Sequence, residues 1–566
     1  GAAVTPKTGV TATGRAVALD LSANTTGVLV QQTKATATSA PSITGDVRLG
    51  SGDDRIELLG GTLTGNMSFG NGADTLIIDA AGVATGRITD TDGRLTLDVR
   101  EGRLAVSNTD AVQLSALSVG AKGVLAVTID GAANTATRFN VSGAATLASG
   151  AQFDLNLASL VRGSKSYEIV RAGTLQAGAI GANLVGAPYL YSAGLRTDTA
   201  NNAIIVDVRP KTASELGLNR SGTQAYAAVF DSLDRSDAIE AAFLAQKTQA
   251  GFDALYDQML PDHSGGALMS AQAISQAISQ AAAQPVSRST IGGMGVWAQE
   301  ILFHIDRDRE DAMGFKSNGF GLAAGLELIG QANAVGLSAS FVTTDYKDKD
   351  AATGERVAMN YFEGGAYWRM QAGALSADAR GGIGYVSFDS ERKFSGAGVN
   401  LTSDADWSGW LVDAHAGAAY HVEAGWLYAR PEVSVDYLRL SEGDYQESGG
   451  GVGFDLDVDK RKGDLLTAQG LVAIGARFGQ DVYWSPEVKV GYRAKLAGDP
   501  GRTTARFAAG GGSFTLDPED AYSGGFIGRV GVKGGTDAVL YSIEGGGVFD
   551  DGYREYDLRA VIKFQF

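Results

Sequence analysis

The sequence predicts an all-β protein. It reads as a 12-stranded antiparallel transmembrane β-barrel with a helix in the pore, preceded by a helical linker and a parallel β-helix. Three observations predict this. Residues 290–566 form a succession of long segments with alternating polarity. The connections between those segments alternate between long and short. The first 210 residues are rich in Gly, with short strand-like runs and regular turn signals.

The barrel strands are expected at about 293–303, 318–329, 333–345, 357–371, 374–389, 407–421, 424–440, 464–478, 482–497, 523–533, 537–549 and 554–566. Within 482–497, Trp484, Val488, Val490, Tyr492 and Leu496 share one face, and Glu487, Lys489, Arg493 and Lys495 share the other. The final stretch, REYDLRAVIKFQF, alternates in the same way: Tyr556, Leu558, Ala560, Ile562, Phe564 and Phe566 fall on one face. The connections run about 14, 3, 11, 2, 17, 2, 23, 3, 25, 3 and 4 residues, which suits a barrel with one rim facing outward and the other facing the periplasm. Strands of about 11 to 16 residues can cross a bilayer when tilted. Trp297, Trp368, Trp426, Trp484 and Tyr541 stand near strand ends, as an interfacial girdle requires. The polar faces then line a lumen holding Glu327, Glu363, Arg369, Asp378, Arg380, Arg430, Glu432, Lys489, Arg493, Arg529, Glu544, Arg559 and Lys563. Water solvates these groups there, whereas hydrocarbon would cost about 2–4 kcal/mol for each Arg or Lys at the midplane.

Ahead of the barrel, residues 211–289 read as a helical linker. SDAIEAAFLAQKTQAGFDALYDQML places Ile239, Phe243, Leu244, Phe252, Leu255, Tyr256, Met259 and Leu260 at helical spacing. The break PDHSGG is followed by ALMSAQAISQAISQAAAQ, a slender helix over about 268–284 that Pro285 ends. Its bulk suits the modest bore of a 12-stranded barrel. Gln272, Ser275, Gln276, Ser279 and Gln280 are the expected contacts to the charged wall.

Residues 1–210 carry strand-like pieces of about five residues at roughly 9- to 20-residue spacing, with few aromatics, which fits stacked rungs of a β-helix. The stronger strands SKSYEIVRAGTL and NNAIIVDV fit a cap at its end.

Composition sets the limits. A net charge of −17 and a pI of about 4.8 exclude the basic stripe of a nucleic-acid binder. With no cysteine there is no disulfide and no thiolate metal site. No apolar run is long enough for a transmembrane helix. GAAVTPKTGV lacks the charged and then apolar pattern of a signal peptide.

The order of parts resembles the autotransporters, the monomeric type V secretion proteins of Gram-negative bacteria. The Gly-rich N-terminal stretch, the pre-barrel helix, GVWAQE, PEVSVDYLRLSEGDYQESGG and YREYDLRAVIKFQF carry the resemblance. It implies an outer-membrane translocator and an N-terminal passenger at the cell surface, with outer-membrane lipid and lipopolysaccharide around the barrel. It further implies a monomer, inserted by the barrel-assembly machinery with periplasmic chaperones. Tyr556, Leu558, Ile562, Phe564 and Phe566 would form the assembly signal, and about 164–208 would nucleate passenger folding. Some members cut the chain at an Asn-Asn pair in the pore helix, which this helix lacks. A tethered, adhesin- or stalk-like passenger is therefore expected, the alternatives being a surface hydrolase or an ungated pore.

Catalysis is not expected. The first 210 residues contain no His and no G-x-S-x-G, and His263 with Ser264 sits in a helix-breaking loop. LGSGDDRIE and FGNGADTLI resemble calcium-binding nonapeptides, which makes Asp54 and Asp74 weak calcium candidates; the competing reading is two turns on successive rungs. No cofactor is expected, and DRDREDA (306–312) reads as a solvated acidic loop.

Overall fold

The computed structural model describes residues 15–34, 41–180, 183–284, 293–310, 313–349, 354–518 and 523–566. They divide into two compact units. One holds the described residues up to Leu216 together with Glu240–Phe252; the other holds Gly217–Ile239 and Asp253–Phe566. Pro285 lies outside the described residues.

In the first unit, strands pair in parallel with an offset of about 20 residues. Arg55 lies against Thr75, Thr75 against Thr96 and Thr96 against Ala116. Each turn of chain is thus one rung, and like residues stack. Ile56, Leu76, Leu97 and Leu117 form one buried column, and Leu58, Ile78, Val99 and Val119 form another. The two nonapeptide-like stretches are turns on adjacent rungs, and their glycines are steric necessities. A Cβ on Gly70 would lie 1.5 Å from the carbonyl oxygen of Gly50.

The parallel stack ends in antiparallel pairing. Lys165–Ala177 pairs with Ala203–Pro210, which pairs in turn with Tyr191–Asp198. Part of the stretch read as linker belongs to this end. The Glu240 carboxylate accepts from the Leu160 amide at 2.6 Å, and the Tyr189 amide donates to the Gln246 carbonyl at 2.7 Å. Phe252 meets Tyr189 and Phe243 with ring centroids 5.7 Å apart in each pair. The last rung exposes an apolar end that needs a cover, and the helical apolar row supplies one.

Among the described residues, twelve strands of the second unit close into a barrel. They are β1 (Gly293–Arg307), β2 (Gly314–Ile329), β3 (Asn333–Lys349), β4 (Arg356–Ala372), β5 (Leu375–Gly396), β6 (Val399–Tyr420), β7 (Leu427–Glu442), β8 (Arg461–Ala476), β9 (Tyr483–Ala497), β10 (Gly524–Gly535), β11 (Val539–Asp550) and β12 (Tyr553–Gln565). Each pairs antiparallel with its neighbours, and β12 returns to β1.

The largest departure from the sequence reading lies between β5 and β6. The expected 17-residue loop is strand. Both strands run 22 residues and meet at a turn of Ala397 (φ 51°) and Gly398 (φ 85°). Polarity inverts along β5, which is why the pattern looked broken. The outward side changes from Ile383 and Tyr385 to Ser387, Asp389, Glu391 and Lys393, while Val386, Phe388 and Phe394 become buried inside. Above Tyr385 the strand is in water and encloses its own apolar core. The two longest connections, after β7 and after β9, hold four short strands (Tyr445–Gln446, Leu456–Val458, Thr503–Phe507, Phe514–Leu516) that join into one sheet.

The outer wall is apolar across its middle. Leu337 is 66% exposed and Phe526 71% exposed, with Leu322, Leu326, Val433, Ile474, Val488, Val530 and Ile543 around them. A belt of this size far exceeds the apolar patches that soluble proteins show to water, so its solvent is hydrocarbon. Aromatic rows bound it. Phe341 and Phe362 lie 4.7 Å apart and Tyr385 and Trp410 5.6 Å apart on one side; on the other, Phe478 stacks on Trp484 at 4.7 Å and meets Trp426 at 5.7 Å. Trp368 and Tyr541 are exposed like these, but Trp297 is not. It points inward, only 3% exposed, and its indole N–H donates to the Tyr367 hydroxyl at 2.8 Å. A girdle residue is told from a lumen residue by the parity of its position in the strand, not by nearness to the end.

Candidate functional site: the occupied lumen

The helix Gly266–Ala283 lies inside the barrel with nearly every side chain buried. Its N-terminal end sits where Phe315 and Tyr346 approach the long-loop rim; at its other end the Gln284 carbonyl accepts from the Lys563 ammonium at 2.5 Å. The helix runs against β1 to β7. Room for it comes from an inner wall of small residues on β2, namely Gly319, Gly321, Ala323 and Gly325. The rings of Phe303 and Trp297 occupy the space beside two of them: a Cβ on Gly319 would meet Phe303 at 2.0 Å, and one on Gly325 would meet Trp297 at 2.3 Å.

Side chains bridge the remaining gap to the wall. Gln272 donates to Thr467 at 3.4 Å, Gln276 accepts from Arg493 at 2.5 Å, and Gln280 accepts from Arg559. These residues stand four apart, so they form one stripe along the helix. A second stripe faces the opposite wall. Ser275 donates to Asp413 at 3.0 Å and Arg380 donates to Ser279 at 3.3 Å. The sequence-assigned contacts Gln272, Ser275, Gln276, Ser279 and Gln280 all occupy these two stripes. Ser270, another polar side chain of the helix read as a possible wall partner, meets Ser317 at 2.9 Å; one further tether, Gln299 donating to the Ala277 carbonyl at 3.0 Å, had no distinct sequence signal.

The wall charges are paired among themselves. Arg380 stands between Glu363 and Asp413, 2.6 Å from the latter, and Tyr361 donates to Glu363. Arg493, with no exposed surface, holds Glu555 at 3.0 Å. Arg559 and Lys489 both reach Glu544 at 2.7 Å. Arg430 binds Glu432 at 2.7 Å and Glu487 at 3.0 Å. Beyond the helix, a cavity of about 840 Å³ continues toward the short-turn rim, lined by Gln284, Arg430, Glu432, Glu487, Lys489 and Glu544 among others.

The opposite end carries a polar cluster that sequence reasoning missed. The Asp262 carboxylate of PDHSGG accepts from Tyr346 and Arg461, each at 3.1 Å, and from the Ser264 hydroxyl at 2.7 Å. Arg461 also pairs with Glu442 at 2.7 Å. Burial alone would raise the Asp262 carboxyl, but Arg461 and the Ser264 donors hold it below the usual carboxylate range. Burial pushes the neighbouring His263 imidazole below its ordinary value; its ring nitrogen Nδ1 bonds the Pro261 carbonyl at 2.9 Å. Arg392 pairs with Glu447 of the YQESGG stretch, stacks on Phe454 at 3.9 Å, and donates to the Gln258 carbonyl at 2.9 Å. The traceable signals were the inward parity of Arg392 in the extended β5 and the Glu of Y-x-E-S-G-G.

The calcium candidates are buried turn residues. Asp54 accepts from the Val28 and Gly50 amides, and Asp74 accepts from the Asp54 amide at 2.8 Å. Among the described residues no group of three or more His, Cys, Asp or Glu side chains is arranged to hold a metal ion. Burial, opposed by the Asp54 amide, pushes the Asp74 carboxyl up to about 6. A raised folded-state value means that the fold favours the protonated form. Stability is greatest below the ordinary value near 4 and falls as pH rises through 6, by about 2–3 kcal/mol. Replacing Asp74 with Asn should therefore slow hydrogen exchange across the rungs 54–99 at pH 7 in the full chain. Slower exchange on calcium addition in the parent, lost in the variant, would identify a metal site instead.

Residues 296–538 match the family model described as the autotransporter beta-domain. The barrel is an autotransporter β-domain. Similar solved structures are the translocator domain of the autotransporter NalP from Neisseria meningitidis (12% identity, 53% of this chain and 96% of that one, TM-score 0.40) and the β-domain of the Bordetella autotransporter BrkA (16%, 49% and 99%, 0.35). The transport unit of AIDA-I from Escherichia coli is a third (10%, 54% and 100%, 0.36). Comparison with curated protein sequences gave no match. The autotransporter barrel lies in the outer membrane, with its short turns toward the periplasm and its long-loop rim outside. On its last strand, Tyr556, Leu558, Ile562, Phe564 and Phe566 all face outward, and the Phe566 amide donates to the Met294 carbonyl at 2.8 Å, extending the β12–β1 seam.

Proposed function

We propose that this chain secretes its own N-terminal region and displays it, still tethered, as an adhesin- or stalk-like rod at the cell surface. The helix held in the lumen is the observation that carries this reading. It enters from the long-loop rim and ends near the short-turn rim where β1 begins, so the chain preceding it emerges on the outer side. A tether is supported by the helix sequence, which offers no Asn to an intramolecular cleavage reaction. The absence of His from residues 1–210 favours a structural or adhesive passenger over a hydrolase. In the same proposal, the antiparallel cap around 164–208 nucleates passenger folding outside, and the outward row of β12 is the signal for barrel assembly.

Protease treatment of intact cells tests this. Residues 1–210 should be lost and a fragment from about 265 onward retained; protection of both halves would overturn the display reading. A chain with Ser at Phe564 and Phe566 should yield no protected fragment at all, and undiminished protection would remove β12 from the assembly role.

A further inference from the structure

One lateral row of the barrel wall has an arrangement that assembly and display do not use. Directly opposed residues on β1 to β5 are Asp306, Lys316, Lys347, Arg356 and Glu391. The middle three are cations in immediate succession, with side chains 53%, 59% and 55% exposed. All three point outward, since Phe315, Tyr346 and Val357 beside them are buried within.

Like charges placed directly opposite in a sheet repel across about 5 Å and destabilise the pairing. The nearby carboxylates compensate only in part. Asp306 lies 3.8 Å from Lys316, and Asp345 lies 3.9 Å from Lys347 and 3.5 Å from Arg356, all at or beyond the limit of a hydrogen bond. Asp306 is more closely engaged by Lys349. Among the described residues, these three donors on one outward surface are only loosely partnered and can take an additional anion.

Height on the wall says which anion. Lys316 stands four residues beyond Phe320, and Lys347 six beyond Phe341, both of which face lipid. At about 3.4 Å per residue and the tilt of a membrane barrel, the row lies about 10–15 Å above that aromatic level. A phospholipid phosphate sits beside the girdle and falls short of it. A lipid with a large phosphorylated sugar headgroup extends past it. We propose that Lys316, Lys347 and Arg356 bind a phosphate group of an outer-leaflet glycolipid. Lysine supplies point charge and arginine a fork of donors matched to phosphate oxygens. The inference rests on the outer-membrane placement of the barrel and is independent of whether the passenger is displayed.

Native mass spectrometry of the detergent-solubilised full chain, titrated with lipopolysaccharide, tests it. The triple variant Lys316→Ala, Lys347→Ala, Arg356→Ala should bind about tenfold more weakly, whereas Arg502→Ala with Arg506→Ala should bind like the parent. Chemically dephosphorylated lipopolysaccharide should bind the parent as weakly as the intact lipid binds the triple variant. Phosphatidylglycerol should not distinguish parent from triple variant. Equal lipopolysaccharide binding by parent and triple variant, undiminished binding of the dephosphorylated lipid, or a triple-variant defect confined to phosphatidylglycerol would each overturn the proposal. Unchanged heat-modifiable migration of the variants confirms that the barrels compared are folded.

Discussion

Deleting residues 266–284 should turn a nearly silent barrel into a conducting one. A helix with its side chains is about 10–12 Å across, close to the bore that twelve strands leave, and this helix is buried along almost its whole length. Single-channel recording in planar bilayers should show conductance rising by about tenfold or more, because a water-filled lumen replaces protein. The charged wall remains solvated after deletion, so the barrel itself should persist. Unchanged conductance would mean that the pore is sealed elsewhere, and the cluster of Asp262, Arg461, Arg392 and Glu447 at the outer mouth would then be the seal.

Replacing Arg380 with Ala should be the most destabilising single change in the lumen. It strands two buried carboxylates, Glu363 and Asp413, and removes the donor to Ser279 of the helix. Breaking a buried pair by removing one partner costs about 3–5 kcal/mol. The barrel should lose its compact electrophoretic migration at a clearly lower temperature. Adding Glu363→Gln and Asp413→Asn should restore most of the loss, since the uncompensated charge is then gone. A triple variant as unstable as the single one would show that Arg380 acts through packing instead.

Much of the barrel was legible because a membrane wall writes its two solvents into alternate residues. The row Val488, Val490, Tyr492 against Glu487, Lys489, Arg493 needed nothing but parity. Where the solvent changes along a strand, parity alone misled. Past Tyr385 the outward side becomes polar and the inward side apolar, so a strand in water looked like a loop. Trp297 failed for a related reason, because an inward aromatic over Gly325 has the same composition as a girdle residue. The stripe Gln272, Gln276, Gln280 was readable from helical spacing. Its partners on β8, β9 and β12 were not, since they are set by the closure of the barrel. Arg392 and Asp262 lay beyond reach for the same reason: each is 50 or more residues from its charged partner. The passage of residues 240–252 to the end of the rung stack depended on an unfilled apolar cap that sequence periodicity does not display.

The three glutamines spaced one turn apart also set a mechanical condition. Each meets a different strand of the wall, at Thr467, Arg493 and Arg559. Moving the helix along its axis by one residue, about 1.5 Å, requires a rotation of about 100° to keep its thread, which carries all three away from their partners at once. The barrel therefore acts as a keyed lock with a single detent. It does not merely accommodate a helix of the right width; it holds this one at one depth and one azimuth.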